Sequence, residues 1–84
     1  MPKHLPPASK DFEKGQRVTW KWGQHLAYGE IAERYNERVV LTIKGKQIVR
    51  NASPEVPAYR IVQENGSEVL KLASELTAFD EGTL

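Results

Sequence analysis

The sequence predicts an all-β domain: a small, strongly bent, five-stranded antiparallel barrel with one short helical turn near the C-terminus. Three observations carry this. Apolar residues recur with period two, most clearly at Val18, Trp20 and Trp22. Gly, Asn and Pro punctuate the chain at short intervals, ending in the hairpin dipeptide Asn65-Gly66. The chain has 84 residues and 9.5 kDa, enough for one domain. A single sheet of that size covers its apolar face by curling on itself.

The elements follow in order. Residues 1–11 contain three prolines with Ser9, Lys10 and Asp11 and read as a disordered, Pro-rich tail. The folded domain is expected over 12–79, with 80–84 fraying. From Gln16, Val18, Trp20 and Trp22 share one face, and Arg17, Thr19 and Lys21 the other. With Gln24 and His25 as turn residues, the returning strand Leu26–Arg34 places Gly29 opposite Trp20 and Ile31 opposite Val18. Lys21 then faces Tyr28, and Thr19 faces Glu30. A glycine opposite an indole leaves room for the ring over the backbone.

Tyr35-Asn36 marks the next reversal. Arg38–Lys44 alternates Val39, Leu41 and Ile43 inward, and Lys44-Gly45-Lys46 is a turn or the start of a loop. Residues 46–57 are expected to be irregular, because Pro54 and Pro57 argue against a helix and against a central strand. Ala58–Glu64 is a strand with Tyr59 and Ile61 on one face. Asn65-Gly66 turns it in a type I′ geometry into Ser67–Leu72. Ala73–Leu76 makes one helical turn, and Thr77–Phe79 closes the sheet.

Composition excludes several classes of function. The absence of Cys removes disulfides, thiol chemistry and Cys-based metal sites. Formal net charge is +1, too small for a strong global field. Residues 1–50 hold ten Lys/Arg against five Asp/Glu, and residues 51–84 two against six. This asymmetry is expected to cancel across strands within one sheet. The longest apolar runs are three residues, as at Val39–Leu41, so neither a secretory leader nor a membrane span is expected. The expected location is cytoplasmic.

Catalytic constellations are missing. His4 falls in the tail and His25 in a predicted hairpin loop, neither with a second ligand at metal spacing. Ser53 and Ser74 lack triad partners. Glu30, Glu33 and Glu37 are the nearest approach to paired carboxylates, but Glu30 and Glu33 should point to opposite faces of a strand. No phosphate-binding glycine pattern occurs. The chain reads as a non-enzyme, with no cofactor and no metal.

Binding remains. Trp20 and Tyr59 read as core, and Trp22, Tyr28 and Tyr35 as candidate rim aromatics for a protein segment or peptide. Lys21, Lys44, Lys46 and Arg50 form the candidate basic surface of an alternative, nucleic-acid-binding function. The sequence pI near 8.0 falls short of a dedicated nucleic-acid binder. Self-association through sheet edges is a third expectation.

One resemblance covers residues 12–79. Phe12-Glu13-Lys14-Gly15-Gln16-Arg17-Val18-Thr19-Trp20 resembles the F-x-x-G-D-x-V-x-W opening of the hypervirulence-associated TUDOR-domain family. Gly29-Glu30-Ile31 resembles that family's G-x-V, Lys44-Gly45 its K-G, and Ala52-Ser53 its A-S. Pro57-Ala58-Tyr59-Arg60-Ile61 is similar to its P-x-Y-x-V, and Leu76-Thr77 to its closing L-T. Two departures stand out: a polar stretch over 22–28, and Lys71-Leu72-Ala73 where the family has H-K-P. The resemblance implies an SH3/Tudor-like barrel of largely unassigned function. Tudor-like folds elsewhere bind methylated peptides, proteins or nucleic acids, and fold alone does not choose among these.

Overall fold

The computed structural model describes residues 11–79. The tail expected over 1–11 and the fraying end expected over 80–84 lie outside the described residues, apart from Asp11. Seven strands form among the described residues: β1 (Arg17–Trp22), β2 (His25–Tyr35), β3 (Val39–Ile43), β4 (Lys46–Arg50), β5 (Ala58–Val62), β6 (Glu68–Leu72) and β7 (Thr77–Ala78). A 3-10 turn, Ala73–Glu75, sits between β6 and β7, as the sequence predicts. Its start is held by the Leu72 amide, which donates to Glu75 Oε1 at 2.7 Å.

The all-β expectation holds, but the closed five-stranded barrel does not. The main sheet has the order β6-β5-β2-β1-β7 and remains open, and β3-β4 forms a separate two-stranded sheet. The source of the difference is β4, in the stretch expected to be irregular. Lys44 and Gly45 both adopt positive φ, 53° and 79°, the combination that closes a two-residue type I′ hairpin. Ile43 then pairs with Lys46, and Val39 with Arg50. The irregular segment shrinks to 51–57.

The first hairpin is shifted by two residues. Trp22 pairs with His25, so Gly23 and Gln24 are the turn, and Trp20 faces Ala27 while Val18 faces Gly29. Gly23 carries φ 62° at the first central position, as a type II′ turn requires, and this fixes the register. A two-residue shift preserves the faces, so the inward set is unchanged. The room over glycine is also kept, on the diagonal: a Cβ on Gly29 would lie 3.3 Å from Trp20 Cη2, 3.0 Å from the Val62 carbonyl oxygen, and against Ile61 Cγ2.

Two further expectations are corrected. The turn after β5 is not type I′. Gly66 donates to the Gln63 carbonyl at 2.8 Å with φ 88°, while Asn65 keeps negative φ and accepts the Ser67 amide at 2.9 Å. This is a turn centred on Glu64-Asn65 followed by a left-handed glycine. β2 bulges between Ile31 and Glu33, which sets Glu33 opposite Arg60 while Glu30 is opposite Val62. The extra residue brings both carboxylates to one face, not to opposite faces.

β5 is buried from both sides. Tyr59 and Ile61 join Phe12, Val18, Trp20, Ile31, Ala73 and Leu76 in the first core. On the other face Ala58 and Leu70 pack with Val39 of the β3-β4 hairpin. Phe12 meets the Tyr59 ring edge-on at 5.4 Å, and its amide donates to the Tyr59 hydroxyl at 3.0 Å.

Candidate functional site

The two hairpins of the main sheet separate at one end. β5 pairs with β2 only from Glu30↔Val62 onward, so among the described residues no strand lies beside residues 25–29 of β2 on that side. Between this segment and the 63–65 turn lies a groove of about 1040 Å³. Trp20, Trp22, Leu26, Tyr28, Val69 and Phe79 supply its apolar lining.

Strand alternation sets the two aromatic walls. Trp22 continues the Val18-Trp20 face past the end of the core and is 68% exposed. Tyr28, opposite Thr19, lies on the other face and is 51% exposed. Its ring meets Phe79 edge-on at 5.4 Å across β1. The groove thus wraps the bare edge of β2, with one indole and one phenol on either side. Trp20 is buried on the floor, as expected, and its indole Nε1 is a buried donor with no acceptor among the described residues.

A family model described as "Hypervirulence associated proteins TUDOR domain" matches residues 15–76, well over half of the chain. The chain belongs to this TUDOR-domain family. No curated protein and no solved structure matches it. The family match runs from the turn before β1 to the end of the 3-10 turn. It contains Trp22 and Tyr28 and stops short of Phe12 and Phe79.

Tyr35, the third expected rim aromatic, stands at the far end of β2, opposite Ala58. It is half-buried against the second core and donates to Glu33 Oε1 at 3.1 Å. Burial first, and then the Glu33 carboxylate, push its phenol above the ordinary tyrosine value. The Tyr35 hydroxyl, followed by Arg60, holds the Glu33 carboxyl below its usual range. Arg60 bridges Glu33 and Glu68 at 3.3 and 3.0 Å. These groups form a structural cross-strand network, and Tyr35 is not part of the groove.

The four basic residues do not converge on one point. Lys21 lies on β1 opposite Leu26. Lys44 is the first residue of the β3-β4 turn and Lys46 follows it, with Lys44 Nζ donating to Ser67 Oγ at 3.1 Å. Arg50 is at the other end of the same hairpin, 3.8 Å from Glu75. Among the described residues no group of three or more His, Cys, Asp or Glu could hold a metal, and no helix is long and apolar enough to cross a membrane.

Sequence reasoning missed Leu26 and Phe79 as groove residues. Leu26 had a local signal, since it shares the face of Tyr28 two positions away. The sequence places Phe79 in the closing strand but not the strand it returns to, and β7 pairs with β1, more than fifty residues earlier in the chain.

Proposed function

We propose that this TUDOR-family chain is a small non-catalytic binding module that takes a protein segment or peptide in the groove flanked by Trp22 and Tyr28. One observation carries the reading: two large exposed aromatics border the same bare strand segment, over an apolar floor. Exposed aromatics around a preformed apolar groove supply binding energy at little ordering cost. The scatter of Lys21, Lys44, Lys46 and Arg50 gives the nucleic-acid alternative less support.

The test is amide chemical-shift mapping with a mixed-sequence peptide pool, then with a DNA and RNA pool at low and physiological salt. Peptide-induced shifts should cluster at Trp22, Leu26 and Tyr28. They should vanish in the Trp22→Ala/Tyr28→Ala double variant, since a hot-spot aromatic contributes roughly 2 kcal/mol or more. Shifts confined to Lys21 and 44–50 with nucleic acid, fading as salt rises, would replace this reading with the nucleic-acid one.

A further inference from the structure

β2 outruns its partner on one side, and the hydrogen bonds show which backbone groups are left over. The Gly15 amide donates to the Ile31 carbonyl at 2.8 Å, and the Ile31 amide to the Gln16 carbonyl at 2.9 Å. Ile31 therefore turns its backbone groups toward the strand preceding it. Antiparallel alternation turns Gly29, Ala27 and His25 the same way, and Glu30, Tyr28 and Leu26 the opposite way. Glu30 meets Val62 there. Beyond it the chain departs into the 63–67 turn, which bonds internally: Gln63 donates to Ser67 and Gly66 to Gln63, both at 2.8 Å. No described residue takes up the outward amides and carbonyls of Leu26 and Tyr28.

We propose that this open rung is a docking edge for an extended basic-apolar peptide, which adds as a strand along the line that β5 vacates after Val62. The proposal rests on the peptide reading above and specifies how that peptide binds. Folded proteins protect bare edges with Lys, Pro or an inward-pointing charge. Here the outward-bonding residues are Leu and Tyr, with Gly29 beside them, and none of these devices is present.

The walls specify the occupant. An added strand alternates its side chains between the two faces. On one face they meet Trp20 and Trp22, which suits apolar residues. On the other they meet Leu26 and Tyr28 with Glu30 on the same face, which suits Lys, whose stem lies along apolar surface while its ammonium reaches a carboxylate. Glu30 and Glu64 line the groove against one arginine, Arg17, which sits opposite Glu30, so with His25 neutral the lining carries a formal charge of −1. That sign favours a Lys or Arg in the peptide and disfavours a phosphate backbone. A second copy is the poorer fit. It brings the same net-negative lining to the contact, which a basic peptide does not. Strand addition of this kind derives affinity from main-chain bonds and specificity from the flanking side-chain pockets.

The probe is a capped heptapeptide of alternating Lys and Val, with two analogues N-methylated on one or the other alternate set of amides. In the complex, the Leu26 and Tyr28 amides should gain at least about tenfold protection from hydrogen exchange, the equivalent of about 1.4 kcal/mol. One N-methylated analogue should lose at least about tenfold in affinity while the other binds nearly as well, because only one set of amides faces β2. Leu26→Pro should weaken binding well beyond Leu26→Ala, with a dispersed amide spectrum retained, since its amide points away from β1 and edge strands accept proline there.

Shifts at Trp22 and Tyr28 without protection at the Leu26 and Tyr28 amides, or equal binding of both analogues, would overturn strand addition and leave a peptide groove of another kind. Absence of any response to the heptapeptide would overturn the basic-apolar assignment, while the peptide-pool titration separately decides the broader reading. Protection of these amides that grows with protein concentration alone would assign the edge to a second copy and likewise overturn the proposal.

Discussion

Tyr59 illustrates how one side chain can tie distant parts of a small chain together. Its ring is fully buried on β5, and its hydroxyl accepts the Phe12 amide at 3.0 Å and reaches Asp11 Oδ1 at 3.5 Å. Asp11 in turn pairs with Arg34 at 2.8 Å. Tyr59→Phe leaves a buried amide without its acceptor, so a loss of about 1–2 kcal/mol is expected, read as a lowered melting temperature. Burial, the largest influence, raises the Tyr59 phenol above the ordinary tyrosine value, as it does for Tyr35. The unfolded chain therefore ionises first. The stabilisation is fully present below about pH 10 and is lost as pH rises from there through the folded value. Melts between about pH 8 and 11 should show Tyr59→Phe starting lower and declining less steeply than wild type. Parallel declines would show that Tyr59 is not the titrating group. The core role of Tyr59 was readable from its alternation with Ile61, but its bond to Phe12, 47 positions away, left no local trace.

At the scale of the element, turns decided what alternation alone left open. The strand faces were legible throughout β1, β3 and β5, because period two survives a two-residue shift in register. The shift itself was not, since it depends on Gly23 rather than Gln24 taking the first turn position. β4 was hidden because Ile48 is its one inward apolar residue and Pro54 and Pro57 dominate the stretch that follows. The hairpin β3-β4 also carries a strain that can be relieved. Lys44 is the one non-glycine residue with positive φ among the described residues. Asparagine tolerates that conformation better, and Asn-Gly is the preferred type I′ pair. Lys44→Asn should raise the urea midpoint by the equivalent of about 0.5–1 kcal/mol, even though the exposed bond to Ser67 is lost. Gly45→Ala should lower it by about 1 kcal/mol. No gain in the first variant would show that the turn is not under strain.

On the scale of the whole molecule, the open sheet explains why the groove was only half legible. Trp22 and Tyr28 could be read as exposed from their places beside a turn. The bare edge between them could not, because it exists only where β5 ends at Val62. The sequence alone places Tyr35 at the rim, because its cover, the second core, comes from a hairpin that the sequence conceals. That second core makes a prediction of its own. β5 contributes Tyr59 and Ile61 to one cluster and Ala58 to the other, so the two cores share a backbone. In a chain this small, stability amounts to several kcal/mol at most, and neither core should persist without the other. Leu70→Val removes one methylene from the second core and should cost about 1 kcal/mol, or a fall of about 4–8 °C in melting temperature. Tryptophan fluorescence reports chiefly on Trp20 in the first core, whereas far-UV circular dichroism reports on all strands. Both should fall by the same amount, with coincident midpoints. If dichroism fell first while Trp20 kept its buried emission, the β3-β4 hairpin would be an appendage melting on its own. The binding groove would then depend on the first core alone.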